Sequence, residues 1–567
     1  MTDLYTTQGA ALPEIPHNVY PRPLMRRDSF LCLNGKWDFA TTRSTTPPVF
    51  NKTILVPFAP ETLLSGVQET YDDKTVLWYR RTFSLPEGFN KGRVLLHFGA
   101  VDQCCSVLLN GTPVGEHEGG YTPFCFDITE YLKDENELAV RVIDRLDSHI
   151  FPYGKQKRKR GGMWYTPTSG IWQTVWLESV PEQYIKALHI TVNDADADIV
   201  IEGMDEGEIT VTTPLGQMRL PFTKGKVRVT PPFARPWSPE DPYLYEFSVC
   251  AGEDKVDSYF ALRELSTHFY GGVARMCLNK ELYFFHGLLD QGYWSDGGMT
   301  PADPTCFEED ILKVKALGFN TLRKHIKIEP QLFYYYCDKL GMVVMQDMVN
   351  NSDYSFLRDT ALPTLGKIRK KDEHLHKNPQ SRKAFLDGLE QTVNLLKNHP
   401  SICLWTIFNE GWGQFDSTTA YYKLRKLDNT RFIDTASGWF VPEVSDVCSR
   451  HIYFKELFLE RSRRPHFLSE FGGYVYKVKG HSANLGRTYG YGSCKTREEF
   501  VSRICALYKE QVLPLISKGL CAAVYTQVSD VEDECNGLLT FDRKEQKITP
   551  QEFAEISREL CNAITEQ

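Results

Sequence analysis

The chain has 567 residues, of which 42% are apolar and 24% charged, so it is long enough for two to four domains with substantial hydrophobic cores. The formal net charge of −8 gives no sign of a nucleic-acid surface. No apolar run approaches the ~20 residues of a membrane-spanning helix and no secretory signal is visible, which predicts a soluble cytoplasmic protein with neither nucleic acid nor membrane as a partner.

Residues 1–180 have the pattern of a β-sandwich. Short stretches of alternating apolar residues are separated by turn signals, of which Asn110-Gly111 is the clearest, because this dipeptide suits a tight hairpin. The predicted strands include 93–98, 106–109, 137–143 and 172–177. This spacing is typical of an antiparallel sandwich.

The first segment also carries the one basic run of the chain, residues 155–160 (KQKRKR). A polyanion site is one interpretation of such a run. A solvated loop is favoured here, because the rest of the chain is acidic.

Residues 181–268 predict a second β unit. Its strands are shorter, for example 185–190 and 226–230, and proline-rich turns lie near 231–242. The length suits one small immunoglobulin-like β-sandwich.

Residues 269–567 change to an alternation of strands and helices. One helix is predicted to begin with a capping box of Thr305 and Glu308. The eight predicted strands are 282–285, 320–322, 342–345, 402–408, 431–433, 451–453, 466–468 and 521–525. Eight strands with intervening helices over roughly 300 residues predict a (β/α)8 TIM barrel.

Two glutamates follow strands of this barrel. Glu410 comes after the fourth strand, directly behind Asn409, and Glu470 comes after the seventh. Function in such barrels lies at the carboxyl ends of the strands, so the two carboxylates are expected to face each other across one mouth. Glycoside hydrolysis requires such a pair, and a separation of ~5–5.5 Å implies retention of the anomeric configuration.

These residues also carry a family resemblance, which extends over nearly the whole chain. The chain resembles glycoside hydrolase family 2, which includes β-galactosidases, β-glucuronidases and β-mannosidases. The motifs are LNGKWDF (33–39), WYRRTF (78–83), GGYTPF (119–124), SGIWQTVW (169–176), GFNTLR (318–323), LWTIFNE (404–410), SEFG (469–472) and DVEDECNG (530–537).

The resemblance implies a jelly-roll sugar-binding domain in the first segment and specific roles for residues of the barrel. Glu410 matches the general acid/base and Glu470 the nucleophile. Asn409 matches a donor to a sugar hydroxyl, and Arg323 matches an arginine that keeps the nucleophile ionised. Tyr525 matches a position often held by tryptophan at the base of the sugar site, with packing inside the barrel as the alternative.

Several departures from the family leave the sugar open. Family histidines fall on Ile326 and Gly473, and a galactose-contacting aspartate falls on Gly162. The Asn-x-Lys motif of β-glucuronidases is Asn536-Gly-Leu538 here. The usual ligands of a magnesium ion are unmatched after the third strand, and the 15 cysteines have no zinc spacing, so no metal or organic cofactor is expected.

Other polar and aromatic residues near the strand ends are expected to bind substrate. Lys327, together with Lys324, would hold an acidic sugar's carboxylate or else pair with Glu329 and Asp347. The remaining candidates are Asp290, His325, Trp412, Trp439, His451 and Tyr453.

The sequence therefore predicts a retaining exo-β-glycosidase that removes a terminal sugar from an oligosaccharide or glycoside, with galactose favoured. Within enzymes, the alternatives are a uronic acid, mannose or glucosamine. From a different class, the alternative is a non-catalytic carbohydrate-binding protein. The resemblance implies that a homo-oligomer can cap the pocket, although no residue here determines that.

Overall fold

The computed structural model describes residues 3–364, 371–438 and 442–565. Three successive groups of elements follow one another along the chain: antiparallel strands up to Val180, a second antiparallel group up to Phe260, and a strand–helix alternation from Phe285.

The first group is a two-layered β unit. Its strands are β1 (Leu31–Cys32), β2 (Gly35–Thr42), β3 (Lys52–Val56), β4 (Val76–Phe83), β5 (Arg93–Phe98), β6 (Val101–Asp102), β7 (Cys104–Leu109), β8 (Thr112–Glu118), β9 (Phe124–Asp127), β10 (Asn136–Ile143), β11 (Gly170–Ile171) and β12 (Val175–Val180). One sheet has the order β1-β12-β5-β9 and the other β3-β2-β4-β10-β7-β8. Alternate residues of both sheets point inward and form one apolar core.

The predicted strands of this unit are found with small shifts. Residues 93–98 coincide with β5, and 106–109 and 137–143 lie within β7 and β10. Residues 172–177 begin too early, because β12 starts at Val175. The turn at Asn110-Gly111 connects β7 to β8 with both residues in the left-handed region, as the dipeptide predicts.

The second group comprises β13 (Ala187–Val192), β14 (Ala197–Glu202), β15 (Glu206–Thr213), β16 (Gly216–Thr223), β17 (Lys226–Val229), β18 (Tyr245–Ala251) and β19 (Asp254–Phe260). Their order is β13-β14-β17-β16-β15-β18-β19, and every pairing is antiparallel. The core of this unit is separate from that of the first. Its immunoglobulin-like topology stays a prediction.

A three-stranded sheet leads into the barrel and consists of β20 (Leu265–Tyr270), β21 (Val273–Leu278) and β22 (Glu281–Leu282). The barrel strands are β23 (Phe285–Asp290), β24 (Thr321–Lys324), β25 (Val343–Asp347), β26 (Ile402–Asn409), β27 (Phe432–Ser437), β28 (Cys448–Ile452), β29 (His466–Gly472) and β30 (Leu520–Thr526). They are parallel, and their order β27-β26-β25-β24-β23-β30-β29-β28 follows the chain around a barrel.

Helices alternate with these strands: α1 (Thr305–Ala316), α2 (Gln331–Leu340), α3 (Leu362–Thr364), α4 (Pro379–Leu396), α5 (Ser417–Leu427), α6 (Arg497–Leu507), α7 (Leu513–Ile516) and α8 (Pro550–Thr565). Within the described ranges, no helix is long and apolar enough to cross a membrane.

Two local predictions in the barrel are wrong. The first barrel strand is β23 and not 282–285, because Leu282 pairs with β21 in the preceding sheet. The capping box is also absent from α1. Thr305 is already helical, and its amide and hydroxyl donate to the Asp303 carboxylate at 2.9 and 2.6 Å.

Candidate active site

Glu410 and Glu470 meet at the carboxyl ends of the barrel strands. Glu410 directly follows β26, and Glu470 lies near the end of β29. One carboxylate oxygen of each and one ring nitrogen of His451 lie within 4.8 Å of one another. Both glutamates are largely buried, at 8% and 5% exposure, so the pair occupies a recess and not an open surface.

Glu470 is held as an anion by several donors. Arg323 Nη1 donates to Oε1 at 3.0 Å, and the Tyr453 hydroxyl donates to Oε2 at 2.5 Å. Burial by itself raises the pKa of Glu470, but His451, the charge of Arg323 and the Tyr453 hydroxyl outweigh it and hold this pKa well below its ordinary range. An ionised, partly desolvated carboxylate has the properties of a nucleophile.

Glu410 has a different environment. Its Oε1 is 2.9 Å from His451 Nδ1, and its Oε2 has no hydrogen-bond partner among the described residues. Its backbone is in the left-handed region at φ 52°, a conformation that is uncommon outside glycine and often found at functional sites. Gly438 makes room for the pair, since a Cβ there would lie 3.3 Å from Glu410 Cγ and 3.4 Å from His451 Nδ1.

Arg323 is the buried centre of the site. Its guanidinium makes a two-pronged ion pair with Asp347, with Nε–Oδ1 3.0 Å and Nη2–Oδ2 2.9 Å. It also donates to Asn409 Oδ1 and Ser437 Oγ, each at 2.8 Å, besides its bond to Glu470. A rigid guanidinium fork that contacts the ends of β25, β26, β27 and β29 fixes their side chains relative to one another.

Asn409 is oriented by these bonds. Asn409 Oδ1 accepts from Arg323 and, at 2.9 Å, from Ser437 Oγ, so the amide nitrogen takes part in neither bond. Nδ2 is buried without a hydrogen-bond partner in the described part of the chain. An unsatisfied buried donor is costly unless a ligand completes it, so this nitrogen is available as a donor to a bound molecule.

Two further predicted residues lie on the Glu470 side of the site. His325 Nδ1 is 2.8 Å from Asp347 Oδ2 and 4.0 Å from Glu470 Oε1. Burial, and then the charge of Lys155, lower the pKa of His325 to about 4, so its ring is neutral at pH 7. Tyr453 stacks on Tyr491 with ring centroids 3.6 Å apart, which fixes the hydroxyl that faces Glu470.

Residues of the first β unit also lie in this region. Trp412 stacks on Trp164 with centroids 5.3 Å apart. Lys155 Nζ lies 6.0 Å from the Trp412 ring and 4.0 Å from Glu534 Oε1. Glu534 is fixed through its other oxygen, which accepts from Tyr165 at 2.9 Å and from a glutamine side chain at 3.0 Å.

Three predicted residues, Asp290, Lys324 and Lys327, lie in a separate ionic cluster. Lys324 Nζ is 2.6 Å from Asp290 Oδ2 and 2.8 Å from Glu329 Oε1. Lys327 Nζ reaches Glu329 Oε1 at 2.8 Å and two backbone carbonyls, which use all three of its protons. Both lysines therefore pair with Glu329, one of the two partners expected for them as the alternative to a sugar carboxylate.

Tyr525 is not brought to the glutamates either. It is fully buried and packs against Phe471 and Tyr508 in the layer between strands and helices, with centroids 5.6 and 6.3 Å apart. Barrel packing, the alternative for this residue, describes its position. Trp439 lies outside the described residues.

Several residues of the site had little or no signal in the sequence pattern. Lys155 belongs to the basic run, and Glu534 to the 530–537 motif, but neither pattern indicated a position near the glutamates. Ser437, Trp164 and Tyr491 had no signal, since each reaches the site only through the packing of distant segments.

The site has the composition of a weak metal site. Glu410, His451 and Glu470 each offer one atom, and two carboxylates with one imidazole suit a divalent transition metal. The same atoms form the glutamate pair, so a metal and a glycoside would compete for them. That no metal is required stays a prediction.

Comparison with known proteins agrees with this geometry. Residues 56–181 match the sugar binding domain of glycosyl hydrolases family 2, and residues 275–478 match the TIM barrel domain of the same family. A β-galactosidase of Thermoanaerobacter pseudethanolicus is 26% identical over 474 residues, which are 76% of this chain and 58% of that protein. A putative β-glucuronidase of Formosa agariphila is 24% identical over 66% of this chain and 35% of its own length. The chain thus spans less than two thirds of the curated relatives it matches.

Solved structures show the same architecture at low identity. A β-glucuronidase of an uncultured Clostridium species has a TM-score of 0.73 and 18% identity, and covers 96% of this chain and 99% of its own. A family 2 β-galacturonidase of Eisenbergiella tayi bound to galacturonate has a TM-score of 0.67 and 19% identity, with 97% and 99% covered. With both of its domain models matched in order, the chain belongs to glycoside hydrolase family 2.

Proposed function

We propose that this protein is a retaining exo-β-glycosidase in which Glu470 is the nucleophile and Glu410 the general acid/base. The proposal rests on the approach of one oxygen of each carboxylate to within 4.8 Å of the other. Inverting glycosidases keep about 6.5–9.5 Å between their carboxyl groups to admit a water, whereas retaining ones keep about 5–5.5 Å.

The environments of the two glutamates support these roles. Glu470, held ionised by Arg323 and Tyr453, attacks the anomeric carbon. Glu410, free at Oε2, gives its proton to the leaving oxygen as the glycosidic bond breaks. Glu410 then takes a proton from water, which attacks the glycosyl-enzyme and releases the sugar with its original anomeric configuration.

The stereochemical outcome tests this proposal. Hydrolysis of an aryl β-glycoside followed by proton NMR at early times should show the β anomer first, with the α anomer appearing only by mutarotation. Initial release of the α anomer would rule out Glu470 as nucleophile. Binding of aryl glycosides without turnover would favour a carbohydrate-binding protein instead.

For the sugar, the first candidate is a galactose-type residue, because two of the curated relatives with extensive matches are β-galactosidases. The Asn409 amide supports recognition of a hydroxyl next to the anomeric carbon. The proposed arrangement is a jelly-roll domain (1–180), an immunoglobulin-like domain (181–268) and the catalytic barrel (269–567).

A second candidate is a uronic acid, and Lys155 favours it. The Lys155 side chain is only 8% exposed, and its charge acts on His325, which lies beside the nucleophile. A buried ammonium in the recess would bind a sugar carboxylate, in place of the lysine missing from 536–538. Relatives named as β-glucuronidases are compatible with this candidate.

A panel of 4-nitrophenyl β-glycosides decides between these candidates. Galactoside, galacturonide, glucuronide, mannoside and glucosaminide are compared by kcat/KM for the unchanged protein and for Lys155→Met. If the sugar is a uronic acid, Lys155→Met should lower kcat/KM for the uronide by roughly tenfold or more while other glycosides change little. A preferred galactoside with equal effects of Lys155→Met on all substrates would exclude the uronic acid.

A further inference from the structure

The basic run lies beside the active site, where it contributes to a second depression. An open cleft of about 550 Å³ is lined by residues of this run and by a loop that follows β29. Its charged residues are Lys157, Lys159, Arg160, Arg487 and Asp533, which together are called the basic cleft. The expectation of a simple solvated loop is wrong for Lys155, which is buried in the recess.

Most of the positive charge in the basic cleft is not neutralised by the protein. Arg160 pairs with Glu532 at 3.0 Å and with Asp533 at 3.7 Å. Lys157, Lys159 and Arg487 have no ion pair within the described ranges, and all three are exposed. In a chain with a net charge of −8, three unpaired cations on one small cleft concentrate positive potential there.

Two aromatic contacts connect the basic cleft to the glutamate pair. On one side, Lys157 Nζ lies 5.1 Å from the ring of Trp164, which stacks on Trp412. On the other side, Gly162 of the cleft packs against Tyr489. Tyr489 then contacts Tyr491, and Tyr491 stacks on Tyr453, whose hydroxyl donates to Glu470.

The depth of these groups indicates which part of a substrate would meet the basic cleft. The glutamates are nearly buried, so the sugar that is released occupies the recess between them. A leaving group that extended outward past Trp412 and Trp164 would reach the basic cleft, since Lys157 Nζ lies 5.1 Å from the Trp164 ring. The basic cleft therefore adjoins the leaving-group side of the bond that breaks.

We propose that the basic cleft recognises an anionic substituent, a carboxylate or a sulfate, on the leaving-group side of the substrate. This inference rests on the proposed glycosidase function and narrows its substrates to acidic glycans or acidic glycosides. Arg487 offers a planar fork that matches either oxyanion, while Lys157 and Lys159 add charge that attracts both. Asp533, the one carboxylate among the charged residues that line the cleft, is partly neutralised by Arg160.

The test uses aryl β-glycosides of the best sugar from the panel, with three aglycones of similar size. These are 4-carboxyphenyl, 4-sulfophenyl and the uncharged 4-carbamoylphenyl. The cleft variant is Lys159→Gln with Arg487→Gln. The matched control is Lys226→Gln with Arg219→Gln, which removes the same charges from exposed positions of the second β unit.

The cleft variant should lose roughly tenfold in kcat/KM for the charged aglycones and less than about twofold for the uncharged one, and the control variant should lose neither. Added salt should reduce the advantage of the unchanged protein, because exposed charges are screened. A loss for only one charged aglycone identifies carboxylate or sulfate as the substituent. Equal effects on charged and uncharged aglycones, or equal losses in the control, would overturn the proposal.

The same data separate this inference from the proposed function. If the glycosides are hydrolysed but the cleft variant affects charged and uncharged aglycones equally, only the role of the basic cleft is overturned. If the protein hydrolyses none of the glycosides, both proposals are overturned.

Discussion

Two buried clusters of arginines and carboxylates in this protein look alike in composition but differ in how they are completed. The interdomain cluster consists of Arg22, Arg27, Glu178 and Asp254 and joins the first two β units. The catalytic cluster consists of Arg323, Asp347, Glu410 and Glu470. Each centres on a carboxylate that is at most 5% exposed, Glu178 in one and Glu470 in the other.

In the interdomain cluster every carboxylate oxygen has a partner. Arg27 binds both oxygens of Asp254, at 2.9 and 2.7 Å. Glu178 contacts Arg22 at 2.6 Å and Arg27 at 3.4 Å, and accepts a hydrogen bond from Tyr20. Although Arg22 Nε has no hydrogen-bond partner among the described residues, no carboxylate oxygen of this cluster is left open, as is usual for buried structural charge.

In the catalytic cluster the protein leaves groups incomplete. Glu410 Oε2 and Asn409 Nδ2 have no hydrogen-bond partners in the part of the chain that the structure describes. Buried charge alone therefore does not mark a site. A carboxylate oxygen and an amide donor that both stay open beside a fixed anion do, because a substrate can complete them.

The largest expected effect is a loss of activity without a loss of stability, and it concerns Glu470, the proposed nucleophile. Glu470→Gln should lower kcat by at least about 10⁴-fold, because the covalent step loses its nucleophile. Arg323 keeps its ion pair with Asp347, so the variant should unfold near the temperature of the unchanged protein. Steady-state kinetics and thermal unfolding by circular dichroism measure both, and retained activity would mean that this carboxylate is structural.

Glu410→Ala should lower turnover by about 10²–10⁴-fold, the usual contribution of a general acid/base. Glycosides with good leaving groups need less protonation, so the loss should be smaller for 2,4-dinitrophenyl than for phenyl substrates. Azide should restore part of the rate by attacking the glycosyl-enzyme and should yield a β-glycosyl azide. Failure to detect that azide product with the activated substrate would contradict the assigned role.

The interdomain cluster should respond in the opposite way. Glu178→Gln should lower the free energy of unfolding by about 3–5 kcal/mol, because buried arginines lose a charged partner, with kcat/KM unchanged. Burial raises the pKa of Glu178, but Arg22 and the other partners outweigh it and hold this pKa below its ordinary range.

The stabilising contribution of Glu178 is therefore present above its unfolded pKa of about 4.3 and is lost as pH falls through the lower folded value. Urea unfolding between pH 3 and 7 measures the effect. The variant should show a weaker loss of stability at low pH than the unchanged protein. An equal pH dependence would show that Glu178 is not the group that titrates.

The difference between the clusters also explains what the sequence could predict. The strands of the barrel and the two glutamates follow from local patterns, since apolar strands and the residue after each one are adjacent in the chain. Seven of the eight predicted barrel strands are confirmed. The prediction of a barrel strand at 282–285 is wrong, because its first residue pairs with β21.

Positions set by packing between distant segments were not predictable from local pattern. Lys155 is 379 residues before Glu534 in the chain, and no periodicity connects them. Lys327 was expected near the sugar because it follows the second strand, but its contacts are with Glu329 and two carbonyls. The local sequence pattern predicts which side chains lie near the carboxyl ends of the barrel strands. Only the folded structure shows which of these side chains form ion pairs or hydrogen bonds with the protein itself.

The smallest effect concerns a hydroxyl that completes the catalytic cluster. Tyr453→Phe removes one donor to Glu470 and leaves the stack on Tyr491 intact. Since a donor to the charged form lowers a carboxyl's pKa, its loss should raise the pKa of Glu470. The acid limb of the kcat/KM profile should therefore move to higher pH, with a loss at the optimum of roughly tenfold. A lower rate without a shift of the acid limb would assign Tyr453 to the sugar and not to the nucleophile.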